Sequence, residues 1–122
     1  MPITTTLITV TNAILTAYCA CGQHPQCPKG TLTAIGRPPI QGRTVAVSRQ
    51  IPLGSTVTIT DSRGNRCSRL RNTAFVAEDR FNKRFETLTP NRVDIFFGTN
   101  HNAAVNFGRR TGTVTYTIYG RP

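Results

Sequence analysis

The sequence predicts an all-β domain, a small barrel or sandwich. Three observations point there. Twenty of the 122 residues are threonine, a β-branched residue that suits a pleated, half-buried surface. Short runs alternate apolar and polar side chains with period two, and Gly- and Pro-rich stretches separate them. The length suits one domain spanning 1–122, and a hydrophobic content of 38% is that of a folded rather than a disordered chain.

In chain order, 3–10 (ITTTLITV) and 13–19 (AILTAYC) read as strands with a break near Asn12. A loop dense in Cys, Gly and Pro follows (CACGQHPQCPKG), and 31–43 is irregular. A short strand at 44–48 (TVAVS) and a turn at Ile51-Pro52-Leu53-Gly54 lead into a strand at 56–60, where Val57 and Ile59 face inward. Asp61 opens a turn, and 66–72 form an edge. The run from Phe75 to Asp79 reads as a strand with Phe75, Ala77 and Asp79 on one face; Glu78 is expected to face away from Asp79. Val93, Ile95 and Phe97 share the core face of the next strand, which puts Asp94 on the other side beside Arg92 and Phe96. Ala103, Ala104 and Phe107 have helical spacing, with Thr99 or Asn100 as N-cap and Gly108 at the end. Strand 113–119 closes the chain.

Net charge is +10, and thirteen of the fifteen basic residues are arginine, whose planar fork suits carboxylate and phosphate. An anionic partner follows: a cell-wall polymer, another anionic glycan or an anionic surface. Nucleic acid is the weakest candidate, because no basic helix or aromatic-basic signature accompanies the charge. No segment has the length and apolarity of a membrane span. The N-terminal residues lack a basic region and alternate apolar residues with threonine, unlike a signal peptide. The expected location is extracytoplasmic, at the cell wall, or in a virion.

Cys19, Cys21, Cys27 and Cys67 have three readings. Two disulfides come first, as staples of a small exported domain. A structural zinc site made by the four thiolates, or by three with His24, comes second, because the C-x-C-x5-C spacing fits no standard zinc pattern well. Buried thiols come third. Each would fix the loop after the first long strand. No cofactor is expected. His101, near the helix start, is a candidate for substrate contact, with a helix-surface role weighted above it.

Seven segments, in order, resemble the three-aspartate (3D) domain of bacterial cell-wall proteins, related to the barrel of the membrane-bound lytic transglycosylase A family. They are Thr16-Ala17-Tyr18-Cys19, Gly30 to Gly36 (GTLTAIG), Thr44 to Ser48 (TVAVS), Ile51 to Val57 (IPLGSTV), Val76-Ala77-Glu78-Asp79, Asn91 to Phe97 (NRVDIFF) and Ala103 to Arg110 (AAVNFGRR). The resemblance implies a six-stranded double-psi β-barrel with one short helix. It also implies cleavage of the glycan strand of peptidoglycan. Asp94 takes the position of the principal catalytic acid and Asp79 that of the aspartate before the Gly-rich loop. Tyr18, Thr33, Ser48, Arg92 and His101 are the candidate substrate-binding residues. The chain departs from the family at Ser48, where an aspartate is usual, and in the loop RFNKRFETLTPNR, which is longer than the family's and has no glycine.

Glycosidic cleavage needs a proton delivered to the leaving oxygen, and a carboxylic acid supplies it when burial or a neighbouring carboxylate raises its pKa. Asp94, flanked by Phe96 and near Asp79, has residues for such an environment; Arg92 on the same face opposes it. Glu86, in the long loop, is a further carboxylate that nothing in the sequence places. The leading expectation is a lytic transglycosylase or glycoside hydrolase. The alternatives are a non-catalytic glycan-binding module and a structural part of a phage or secretion machine.

Overall fold

The computed structural model describes residues 4–23, 29–61, 74–80 and 91–120. His24, Cys27, Cys67, Glu86 and the expected edge at 66–72 lie outside them, as does most of the long loop. The described chain folds into six strands: β1 (Thr4–Tyr18), β2 (Thr44–Val47), β3 (Thr56–Asp61), β4 (Phe75–Arg80), β5 (Arg92–Phe96) and β6 (Arg110–Gly120). Among the described residues one helix, α1 (His101–Phe107), joins β5 to β6. The strands close into a barrel in the order β1-β5-β2-β4-β3-β6. The β1–β5 and β2–β4 pairs are parallel and the rest antiparallel. Asp61, expected to open a turn, is the last residue of β3, paired with Gly112.

Period-two alternation fills the barrel. Leu15, Val45, Val47, Val57, Phe75, Ala77, Val93, Ile95 and Val114 are each 1% exposed or less, and all belong to one core cluster. Each such Val, Leu, Ile or Phe side chain contributes roughly 1.5–3 kcal/mol by leaving water. All four residues of β2 are buried, because β4 and β5 flank it and its outer face is also covered.

Two β-bulges set which face carries what. Between Val10 and Ala13, β1 advances three residues while β6 advances two, from Val114 to Gly112. The break expected near Asn12 is therefore a bend within one 15-residue strand, with Thr11 and Asn12 exposed at the bulge. The second bulge lies on β4. Val45 pairs with Ala77 and Ala46 with Asp79, so Glu78 is the extra residue. It breaks the alternation, and Asp79 leaves the face of Phe75 and Ala77 that simple alternation gives it.

Glu78 is itself buried. Its Oε1 accepts a hydrogen bond from the Thr44 hydroxyl at 2.8 Å, and its Oε2 one from Arg43 Nε at 3.2 Å. Thr44 Oγ1 in turn accepts from the Ile40 N–H at 2.8 Å. The helix is capped as expected: Asn100 Oδ1 accepts from the Ala103 N–H, and Gly108, at φ 64°, donates its N–H to the Ala104 carbonyl.

Candidate functional site

The second bulge brings the two aspartates into one row. Thr16 pairs with Asp94, Asp94 with Ala46, and Ala46 with Asp79, across four neighbouring strands. Val45, Val47, Val93 and Ile95 occupy the core side of those strands, so the row lies on the opposite face. The two aspartates are two strand spacings apart, roughly 10 Å between Cα atoms. The residue between them is alanine, whose small side chain is itself buried.

Tyr18 reaches into this row from the end of β1. Its hydroxyl donates to Asp79 Oδ2 at 3.4 Å, and its ring packs against Phe96 at 5.1 Å between centroids. Burial, followed by the negative charges of Asp79 and Asp94, pushes the Tyr18 pKa far above the usual phenol range. Tyr18 is therefore a hydrogen-bond donor at any physiological pH. Asp79 accepts two further bonds, from the Ala34 N–H at 3.1 Å and the Arg80 N–H at 2.8 Å. The Ala34 bond ties the 29–43 loop to the edge of the row.

Asp94 is half-buried. Burial raises its pKa above the usual carboxylate value, and the charge of Asp79 adds to the rise; the Arg92 guanidinium opposes both. Arg92 Nη2 lies 3.2 Å from Asp94 Oδ1, and its Nε donates to the Thr16 hydroxyl at 3.2 Å. The net direction is upward, so the protonated carboxylic acid persists to higher pH than in an exposed aspartate. A half-buried acid of raised pKa, a phenol donor, a second carboxylate and a guanidinium thus share one face.

The other candidate residues are placed differently. Thr33 is buried, and its hydroxyl donates to the Arg37 carbonyl at 2.8 Å, closing the turn next to Ala34. Ser48 is buried at the end of β2, and its carbonyl accepts from Arg80, which also donates to the Ile51 carbonyl at 2.7 Å. His101 is half-buried at the start of α1, where its Nδ1 lies 3.3 Å from Cys19 Sγ.

Among the described residues no disulfide is formed. Instead Cys19, Cys21 and His101 come together, with one ligand atom from each lying within 4.8 Å of the others. Sequence reasoning put His101 with the substrate contacts and His24 with the thiols. The Cys19–His101 contact joins residues 82 positions apart, and no local spacing signals it.

No protein-family model matches the chain, and no curated protein matches it in sequence. Among the described residues no helix is long and apolar enough to cross a membrane.

Proposed function

We propose that this protein cleaves the glycan strand of peptidoglycan, as a lytic transglycosylase or a related glycoside hydrolase, on a double-psi form of the six-stranded barrel like that of the 3D domain. The two parallel pairs within a closed six-stranded barrel favour that topology. The observation that carries the chemistry is Asp94, a half-buried carboxyl of raised pKa set in one row with Asp79 across Ala46.

Asp94 donates its proton to the glycosidic oxygen as the bond to the anomeric carbon breaks. In the transglycosylase form the resulting carboxylate then removes the proton from the sugar's own C6 hydroxyl, whose oxygen closes on the anomeric carbon to give a 1,6-anhydro end. In the hydrolytic form Asp79 activates water instead, and Tyr18 orients Asp79. Arg92 and the exposed arginines attract the anionic polymer. The enzyme would act outside the cytoplasm, at the wall or from a virion.

A second reading is favoured by the Arg92–Asp94 contact at 3.2 Å, which ties up the acid, and by the serine at 48. Here the same face holds an anionic glycan without cutting it, as a binding or assembly module.

The deciding experiment is mass spectrometry of the soluble products released from purified peptidoglycan by wild type and by Asp94→Asn. Anhydro-ended muropeptides from wild type alone are the expected result, and reducing ends would select the hydrolase. No products, with the protein still retained on the sacculi, would leave the binding module.

A further inference from the structure

We infer that Cys19, Cys21 and His101 form a zinc site that fastens the end of β1 to the start of α1. Tetrahedral zinc with bonds of about 2.3 Å to sulfur and 2.0–2.1 Å to nitrogen places its ligand atoms roughly 3.6 Å (S to N) and 3.8 Å (S to S) apart. The Cys19 Sγ to His101 Nδ1 distance is 3.3 Å, and all three donor atoms lie within 4.8 Å of one another. The donor set of two thiolates and one imidazole suits zinc over magnesium or calcium, which take oxygen ligands.

The backbone is built to present this set. The Ala20 N–H donates to the Gly98 carbonyl at 2.8 Å, and the Phe97 N–H to the Tyr18 carbonyl at 2.8 Å. These two bonds hold the Cys19–Cys21 stretch alongside the 97–101 turn. Cys19 is buried on one side of the site. Cys21 and His101 border a pocket of about 450 Å³ also lined by Gln23, Lys29 and Thr99. Among the described residues the site offers three protein ligands, and tetrahedral zinc takes a fourth. The site adjoins Tyr18, so the ion also fixes one end of the carboxylate row. It stands independently of the proposed reaction.

The test uses metal alone. The full chain is purified under reducing conditions, loaded with zinc or cobalt, desalted and analysed for metal per chain. One equivalent of zinc is expected. The cobalt form should carry thiolate charge-transfer absorption and the intense visible bands of a tetrahedral site. His101→Ala should weaken zinc at least about tenfold, since even the outer partners of ligands are worth that much. His101→Cys should restore binding and strengthen the charge-transfer band.

Folded, reduced wild type that takes up neither metal overturns the inference. So does a disulfide at Cys19 or Cys21 in the native protein, or undiminished affinity in His101→Ala. If His101→Ala does not fold, wild-type metal content and the His101→Cys spectrum still decide.

Discussion

Asp94 carries the tension of the site in one side chain. Burial and Asp79 push its proton affinity up, while Arg92 pulls it down. Its folded-state pKa stands above the unfolded one, so the chain takes up a proton on folding between the two values. The associated stability is present below the unfolded pKa and lost as pH rises through the folded one. Asparagine does not ionise. The stability of Asp94→Asn relative to wild type should therefore climb across that window and level off above it, as denaturation at a series of pH values will measure. Arg92→Gln removes the opposing charge, so the Asp94 carboxyl should titrate at higher pH still, observable by carbon NMR of labelled aspartate. If Asp94 is the acid, the alkaline limb of the activity profile must move the same way. Alternation along β5 made the shared face of Arg92 and Asp94 legible in the sequence. The net sign of the shift was not, because it depends on how much of the chain covers the pair.

At the scale of elements, the β4 bulge decides where Asp79 points. Were Glu78 paired in regular register instead of bulged, Asp79 would follow Ala77 to the core face, away from Ala46 and Asp94. Glu78 is kept in place by Thr44 and Arg43 rather than by apolar packing. Arg43 is about half exposed (52%), so its ion pair contributes less than the buried Thr44 bond. Glu78→Ala should cost about 1–3 kcal/mol, because Thr44 loses its buried acceptor. Glu78→Gln should cost less, and chemical denaturation separates the two.

The turn after β5 is a second such device. Gly98 has φ 65°, and a Cβ there would meet the Gln41 side-chain oxygen at 2.5 Å. Gly98→Ala should destabilise by roughly 1–2 kcal/mol from the backbone conformation alone, with any unrelieved clash adding to it, as a thermal melt will register. The strands and capped helix were readable because period and caps are local signals. The bulge was not, because it exists only in the register between β2 and β4.

For the whole molecule, closure brings together residues that are distant in the chain. β1 lies between β5 and β6, and β2 between β5 and β4, so neighbours in the barrel are seldom neighbours in sequence. That is why the strand inventory could be read in advance while the pairing order, and the meeting of Cys19 with His101, could not. The charge, by contrast, needs no fold to be read. At +10, with Arg37, Arg43, Arg49 and Arg109 exposed, the molecule has a long-range field that favours anions, and the proposed polyanionic substrate would feel it. Such attraction is screened over about 10 Å at 0.1 M salt and about 3 Å at 1 M. Retention on purified sacculi should therefore fall steeply over that range in a co-sedimentation assay. Asp94→Asn should track wild type at every salt concentration, since it adds one charge in ten without altering the exposed arginines. A variant with Arg37, Arg43, Arg49 and Arg109 all changed to glutamine should release at lower salt. If wild type is retained undiminished at 1 M, short-range contacts rather than the long-range field hold the protein on the sacculi.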